Sequence, residues 1–312
     1  MNANGKAAPS PPFEPSSLSA MTHTDIELQF NPRVSIAPSE VERYAARASA
    51  LSLATRERWS QRKACRLDVP YGESRLATLD IFPVADPNAP LHVFLHGGYW
   101  RGRDKSDYSF VADALAPHGI STIVMNYDLC PEVEVDAIVA QVKRGFSWIR
   151  ANADAFSCSA QNLTASGHSA GAHLIAAALS GPGHQDGPRA ALLISGIYEL
   201  EPVLHITVNE QIRLRPEAVD GLSPMRHPPS GSPSLAIVAG TAEPAAWVAQ
   251  SRDFANVCKR QGLDCLYGEM PNDDHYSIMT HLESPNSWLS RLVAGMALQA
   301  SDFPTTNRID KT

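Results

Sequence analysis

The hydrophobic pattern changes along the chain, and this change predicts the form of its sheet. Residues 66–71 and 75–82 have strand character and flank the turn Gly72-Glu73-Ser74, which predicts a hairpin at an antiparallel sheet edge. The segment 91–95 is a near-continuous apolar run, as expected for a parallel strand covered on both faces. Further core strands are predicted directly before Ser169 and at 121–127, 190–195, 234–239 and 264–268.

Helix-forming segments separate these strands. They are predicted to follow Ser169 directly and to occupy 39–62, 104–118, 134–152, 245–261 and 276–299. Ser39 is the expected N-cap of the first, with Glu42 completing a capping box, whereas 25–38 is expected to be extended. Because strands and helices alternate, the predicted fold class is α/β, with a mostly parallel, doubly wound sheet and an antiparallel N-terminal hairpin.

One long interval interrupts the alternation. Residues 197–233 hold six prolines and are predicted to form a partly helical, lid-like excursion over the sheet that sets the size of a binding pocket. Residues 23–300 are predicted to be a single domain, between a disordered lead at 1–22 and a frayed tail at 301–312. The lead has no apolar segment of the kind found in secretory signals, and Met21 is an alternative start.

Composition narrows the classes of function. The 312 residues are 44% hydrophobic and 19% charged, which is typical of a globular protein with a full core. A net charge of −7, without a basic cluster, argues against nucleic-acid binding and against attraction to a membrane surface. No apolar window reaches the length of a membrane span. The five scattered cysteines, without a C-x-x-C pair, favour reduced thiols in a cytoplasmic protein.

The strongest chemical signal is the stretch Gly167-His168-Ser169-Ala170-Gly171, a G-x-S-x-G match between a predicted strand and a predicted helix. A serine on such a turn stands clear of the sheet, and the flanking glycines avoid collision with the neighbouring strand and helix. The helix N-terminus also directs N–H groups toward charge that develops near the serine. Ser169 is therefore the candidate nucleophile.

A serine nucleophile needs a base and an acid that orients the base, and both are expected after the last two core strands. His275 follows the last strand directly, so it is the candidate base, with His281 as the weaker alternative. Glu243 follows the strand 234–239 and is the candidate acid. Asp253 lies well inside the helix that follows, and Asp264 begins the next strand at its opposite end, so both are weaker candidates. The three residues thus follow one another along the chain as nucleophile, acid and histidine, which is the order expected in this architecture.

An oxyanion hole is expected from the loop after the first parallel strand and from the N–H that follows the nucleophile. The loop after 91–95 begins His96-Gly97-Gly98, and its glycines allow backbone N–H groups to turn inward. Gly97, Gly98 and Ala170 are therefore the candidate donors. No metal and no organic cofactor is expected, since His168 and His173 lack the i, i+4 spacing of a helical metal pair.

Three segments resemble arylformamidases, also called kynurenine formamidases, within the α/β-hydrolases. They are His96-Gly97-Gly98-Tyr99-Trp100, the stretch from Gly167 to Leu174, and Ser195-Gly196-Ile197-Tyr198-Glu199-Leu200-Glu201-Pro202. The pair Gln250-Ser251 fits the acid region of that family, and the resemblance extends over 69–281. His-Gly-Gly alone is equally similar to the hormone-sensitive-lipase group of esterases. The longer third segment favours the formamidases.

The resemblance implies a role for each matching residue. Ser169 corresponds to the nucleophile and His275 to the base, whereas Glu243 stands where the family has aspartate. It implies a small acyl substrate, ideally the formyl group of an aromatic N-formyl amine such as N-formyl-kynurenine, an intermediate of tryptophan catabolism. Tyr99 and Trp100 are candidates to flank an aromatic substrate, with packing in the hydrophobic wall as the alternative.

Other functions remain open at this stage. The nearest is a carboxylesterase that acts on small esters with the same triad, followed by an amidohydrolase of another aromatic catabolite. An inactive α/β-hydrolase used for binding and a lid-gated lipase are weaker, because the triad is intact and 197–233 is poor in apolar residues. The expected partner is a small aromatic amide or ester. The oligomeric state is open, with a homodimer as one option.

Overall fold

A mixed eight-stranded sheet organises the computed structural model, which describes residues 18, 20–181 and 185–298. The strands are β1 Arg66–Pro70, β2 Thr78–Phe82, β3 Pro90–Leu95, β4 Ser121–Met125, β5 Ser159–His168, β6 Ala190–Ile194, β7 Ser234–Gly240 and β8 Cys265–Met270. Their spatial order is β1-β2-β4-β3-β5-β6-β7-β8. β2 pairs antiparallel with β1 and β4, and the other pairs are parallel, which confirms the predicted hairpin and doubly wound sheet.

Helices cover both faces of the sheet. In the described part of the chain they are α1 His23–Phe30, α2 Pro38–Gln61, α3 Phe110–Leu115, α4 Val135–Asn152, α5 Ala170–Ala178, α6 Asn209–Ile212, α7 Pro216–Leu222, α8 Ala245–Arg260 and α9 Trp288–Leu298. Short 3₁₀ helices span Lys105–Asp107, Ala116–His118, Ala153–Phe156, Glu201–His205 and Ser277–Leu282.

The two-residue period of the strands divides the core into two layers. On β3, Leu91, Val93 and Leu95 face the cluster that includes α4, α5 and α8. Phe94, on the other face, packs in the cluster that includes α3 and α9. Because both faces are covered, the strands are nearly continuous apolar runs, as the sequence predicted.

Three details of the N-terminal part differ from expectation. Residues 25–38 were expected to be extended, but α1 occupies 23–30, and Thr22 forms a capping box with Asp25. Thr22 is therefore structured, although the predicted disordered lead ended there; residues 1–17 and 19 lie outside the described residues. The predicted N-cap Ser39 is wrong, because Pro38 occupies the first turn of α2 after Ala37 and no side chain caps it.

Two predicted helices are interrupted. The segment 104–118 consists of α3 between two 3₁₀ turns, and 276–299 is divided into a 3₁₀ helix and α9 by a break around Pro285. The predicted tail at 301–312 lies outside the described residues. The five cysteines are free thiols, as expected. No helix in the described ranges has the length and apolar character needed to span a membrane.

Candidate active site

Ser169 lies on a strained turn between β5 and α5. Its backbone has φ 54° and ψ −119°, a conformation that residues with a side chain seldom adopt. A Cβ at Gly167 would lie 2.5 Å from the Gly171 backbone, and one at Gly171 would lie 2.2 Å from the Leu95 carbonyl oxygen. Both glycines are therefore required by close backbone approach. The predicted strand-to-helix turn at Ser169, called the elbow below, is confirmed.

His275 and Glu243 form a buried pair beside this turn. Nδ1 of His275 lies 2.7 Å from Oε1 of Glu243, and the two side chains are 5% and 0% exposed. The other carboxylate oxygen, Oε2, accepts hydrogen bonds from Ser195 Oγ and from the Gly240 N–H, each at 3.1 Å. The structure thus brings together the predicted base and the predicted acid, and it adds a serine hydroxyl to them.

Burial and hydrogen bonding act against each other on this pair. Burial raises the pKa of the Glu243 carboxyl, while the hydrogen bonds from Ser195 and Gly240 lower it. Burial lowers the pKa of the His275 imidazole to about 3, so the ring is neutral near pH 7. With its Nδ1–H donated to the carboxylate, a neutral ring has its lone pair on Nε2, which is the form a general base requires.

The His96-Gly97-Gly98 loop lies against the nucleophile. A Cβ at Gly97 would be 3.0 Å from Ser169 Cβ, and Gly98, Tyr99 and Trp100 have φ values of 115°, 52° and 55°. Successive residues of positive φ turn their N–H groups toward one side, as in anion-binding nests. The position suits the predicted oxyanion donors Gly97 and Gly98, and Ala170 opens α5 directly after Ser169.

Two neighbouring histidines, His168 and His173, have structural partners. His168 Nε2 donates to the main-chain carbonyl of His275 at 2.8 Å and so joins the elbow to the base. His173 accepts from the Trp100 indole at 3.2 Å and donates to the Leu222 carbonyl at 2.8 Å. Burial holds the pKa of both rings below the usual range, which keeps them neutral.

A cavity of about 490 Å³ opens onto the site and is lined by Gly98, His168, Ser169 and His275. Aromatic and aliphatic side chains form much of its remaining wall, and the aromatic ones are Tyr44, Tyr99, Tyr108, Phe110 and Tyr276. A pocket of this size with a few convergent polar groups is typical of small-molecule sites.

Tyr99 and Trp100, the aromatic residues that follow the two glycines, occupy different environments. Tyr99 lines the cavity, and its hydroxyl donates to the Phe30 carbonyl, so substrate contact stays a prediction for this residue. Trp100 is fully buried, packs edge-to-face on His173 and does not line the cavity. The prediction that Trp100 flanks a substrate is therefore wrong, because its indole is held in the core by the hydrogen bond to His173.

The prediction that 197–233 sets the pocket size is also wrong. Among the described residues, no part of this excursion lines the cavity. It packs instead on α1 and α4, and Thr207 donates to the carboxylate of Glu27 on α1. Within the excursion, Arg226 pairs with the buried Glu199 at 2.8 Å. The wall of the cavity that the excursion was expected to supply is formed by the N-terminal segment. Residues 31–33 and α2 residues such as Glu42 and Tyr44 line it.

Sequence reasoning missed two features of the site. Ser195 was noted only as part of a family segment, although its position just after β6, beside the acid strand β7, was a usable signal. Thr22 and Asp25 likewise carried the capping signal for α1, which would have placed 31–33 at a helix end near the cavity. In the described part of the chain, no cluster of three or more potential ligands could hold a metal ion.

Comparison with known proteins agrees with this geometry. Residues 79–187 match a family model described as BD-FAE. The chain is 30% identical to kynurenine formamidase from Danio rerio over 289 residues, covering 89% of this chain and 97% of the relative. Esterase LipQ from Mycobacterium tuberculosis is 28% identical, over 67% of this chain and 56% of the esterase. A solved structure from Silicibacter sp. TM1040, provisionally described as a thioesterase, has a TM-score of 0.69 at 26% identity, covering 80% of this chain and 92% of that one.

Proposed function

The chain belongs to the kynurenine formamidase family of α/β-hydrolases, and from this premise we propose that it removes the formyl group from N-formyl arylamines such as N-formyl-L-kynurenine. The observation that carries the proposal is an aromatic-walled cavity that holds Ser169 and His275 together, with Glu243 behind the histidine. Tyr44 and Tyr276 have nearly parallel rings, 10° apart in orientation, at this cavity. Such walls suit a flat aryl group.

The proposed reaction begins at Ser169. Nε2 of His275 takes the Ser169 hydroxyl proton while Oγ attacks the formyl carbon, which gives a tetrahedral oxyanion. The N–H groups of Gly97, Gly98 and Ala170 stabilise that oxyanion, and one such donor contributes about 3 kcal/mol. Glu243 holds the imidazole in the required tautomer and stabilises the imidazolium that forms.

The second half of the reaction returns the enzyme to its starting state. The C–N bond breaks as His275 transfers its proton to the arylamine nitrogen, leaving a formyl ester on Ser169 Oγ. Water, deprotonated by His275, attacks this ester, and the proton returns to Oγ as formic acid leaves. One formamide and one water thus give one arylamine and one formic acid, which ionises to formate and a proton near pH 7, and the reaction needs no further co-reactant.

A carboxylesterase that acts on small esters is the second candidate, and the similarity to esterase LipQ favours it. The same nucleophile, base and oxyanion donors would serve, because an ester is attacked at the same carbonyl geometry. The two candidates differ in the leaving group, since an arylamine requires protonation at nitrogen and a phenolate does not.

Steady-state kinetics on N-formyl-L-kynurenine and p-nitrophenyl acetate tests the proposal. We expect a higher kcat/KM for the formamide, and Ser169→Ala should abolish the turnover of both. Ser180→Ala, which removes a hydroxyl bonded to the Ala176 carbonyl after the end of α5, is the matched control and should stay active. Turnover of the ester without the formamide would exclude the formamidase and select the esterase.

A further inference from the structure

Three arginines line the cavity that opens onto Ser169. Arg33 lies on the segment between α1 and α2, and Arg101 and Arg103 lie on the loop that follows Gly98; all three line the cavity. The whole chain has a net charge of −7, so this group contrasts with its average surface. A group of like charges in a concave site attracts ligands of the opposite sign unless nearby charges neutralise it.

These guanidinium groups lack acidic partners. In the part of the chain that the structure describes, none of the three arginines forms a salt bridge. Arg101 donates a hydrogen bond to the neutral amide of Gln211. Arginine usually pairs with a carboxylate when it is partly buried, as Arg101 and Arg103 are.

The acidic residues of the same cavity do not supply the missing partner. Glu283 accepts hydrogen bonds from Arg47 at 2.6 to 3.0 Å, and Asp107 accepts one from Ser49 at 2.6 Å. Glu42, the third acidic residue of the lining, is exposed on α2. Two of the three carboxylates in the wall are therefore bound to other groups.

All three arginines act on one point near the reaction centre. The positive charges of Arg33, Arg103 and Arg101 each lower the pKa of Tyr276, which is otherwise raised by burial and directly follows His275. Burial and the repulsion from Arg33 lower the pKa of Arg101. An anion placed among these groups would relieve that repulsion.

The loop that carries two of the arginines is held in place. Asn126 donates to the Asp104 carboxylate at 2.8 Å, and the buried Lys105 pairs with Asp80 at 2.9 Å. Arg103 itself has φ 74°, a conformation that the surrounding contacts must maintain. A charged group positioned by such a loop loses little conformational freedom when it binds a ligand.

We propose that Arg33, Arg101 and Arg103 form a carboxylate-binding wall that selects acyl arylamines with an anionic side chain. The planar guanidinium matches a carboxylate in two-point geometry, and the wall lies in the same cavity as Ser169. N-formyl-L-kynurenine bears such a carboxylate, and the wall assigns its binding to three named side chains. This inference rests on the proposed function for the reacting group, but the preference for an anion can be measured without it.

Inhibition of p-nitrophenyl acetate hydrolysis tests the wall independently of formamide turnover. Benzoate and benzamide have the same shape and differ in charge, and we expect benzoate to inhibit with a Ki about 10-fold lower. The combined variant Arg33→Gln and Arg103→Gln should bring the ratio of the two Ki values close to one. Arg33→Gln alone should also reduce the ratio. Because Arg33 is exposed, this single variant should fold normally and keeps the test valid if the double variant misfolds.

Arg43→Gln is the matched control, because Arg43 is exposed on α2, pairs with Glu40 and does not line the cavity. It should keep the ratio of the unmodified protein. Equal Ki values for benzoate and benzamide in the unmodified protein, or a ratio that the double variant leaves unchanged, would overturn the proposal.

A second pair of substrates separates this inference from the proposed function. We expect kcat/KM for N-formyl-L-kynurenine to exceed that for its carboxamide by about 10-fold or more, mainly through KM. If both formamides are hydrolysed equally well, the wall is refuted while the formamidase stands. If neither is hydrolysed but benzoate still discriminates, the wall stands and the formamidase is refuted.

Discussion

At the residue scale, Glu243 shows how a glutamate is accommodated where the resembling family carries aspartate. A Cβ at Gly240 would lie only 2.1 Å from the Asp273 carbonyl oxygen, so the loops that carry the acid and the histidine are in direct contact. The Ala242 N–H also donates to that carbonyl at 2.9 Å. The backbone of the acid loop is thereby fixed, and the longer side chain reaches His275 at 2.7 Å.

Glu243→Asp should therefore lower activity, although it restores the acid of the family. The shorter side chain leaves the carboxylate too far from His275 Nδ1, and a displacement of this size costs about 100-fold in kcat/KM. Glu269→Asp, which shortens a β8 side chain that accepts from Tyr267 at 2.8 Å, is the control. An aspartate variant as active as the original protein would show that the loop moves to compensate.

Ser195 acts on the histidine through Glu243, so we describe it as a positioning residue. Ser195→Ala removes one of the two hydrogen bonds to Oε2, which raises the pKa of the Glu243 carboxyl further. Since activity needs the carboxylate, the acidic limb of the kcat/KM profile should move to higher pH, with a loss of about 10-fold at pH 7.

The matched control for Ser195→Ala is Ser251→Ala. Ser251 is equally buried, and its hydroxyl donates to the Trp247 carbonyl at 3.4 Å. The acidic limb of the kcat/KM profile of Ser251→Ala should stay at the pH of the original protein. A Ser195 variant that loses stability but keeps the pH profile of the original protein would mean that Ser195 has a purely structural role.

At the element scale, the oxyanion loop depends on one glycine more than on any side chain. Gly98 has φ 115°, and a Cβ there would lie 2.3 Å from the Gly102 carbonyl oxygen. Any larger residue must therefore shift the loop and its N–H groups relative to Ser169.

Gly98→Ala should lower kcat by about 100-fold or more, because a misdirected oxyanion donor affects the transition state more than the bound substrate. KM should change little. Gly221→Ala in α7, where nothing lies within 4 Å of the added Cβ, is the control and should retain activity. Stopped-flow or steady-state rates decide the matter, and an unchanged kcat for Gly98→Ala would exclude this loop as the oxyanion hole.

The sequence predicted the elements that are fixed by simple periodicity. The core strands are apolar runs bounded by turns, so β3, β6 and β7 were located to within one or two residues. The elbow and the order of Ser169, Glu243 and His275 followed from the same pattern. The short α1 was missed because its eight residues bury only Ile26 and Phe30, which gives little periodic signal.

Tertiary packing decided what periodicity left open. The destination of 197–233 depends on long-range contacts such as Thr207 with Glu27, which no local pattern predicts. The same holds for Trp100, whose ring is placed in the core by its hydrogen bond to His173, 73 positions away in the sequence. The hydrogen bond from Ser195 to Glu243 joins residues 48 positions apart, in the loops that follow the neighbouring strands β6 and β7.

At the scale of the whole molecule, neutral histidines within the core link stability to pH. His92 lies between β3 and β5, where its ring nitrogens are 2.9 Å from Thr164 Oγ1 and 2.7 Å from Ser166 Oγ. Burial lowers the pKa of His92 to about 3. Because the unfolded chain binds this proton near pH 6.5 and the folded chain does not, His92 destabilises the fold as pH falls below 6.5 toward 3.

The free energy of unfolding should therefore fall between pH 7.5 and pH 5.5, and His92 alone should contribute about 1.4 kcal/mol of that fall. Urea unfolding of the original protein and of His92→Gln at both values measures the contribution as the difference between the two pH dependences. Taking this difference removes the part of the change in the free energy of unfolding that does not depend on pH. Identical pH dependences would mean that His92 is protonated in the folded state or does not titrate on unfolding.

The central claim is that Ser169 is the nucleophile of a site that binds formamides. Intact-protein mass spectrometry after treatment with a fluorophosphonate, followed by peptide mapping, tests it most directly. We predict a single adduct on the peptide that contains Ser169, and slower labelling in the presence of N-formyl-L-kynurenine, with half-protection near its KM. An adduct on another residue, or labelling at an unchanged rate with the formamide present, would contradict the claim.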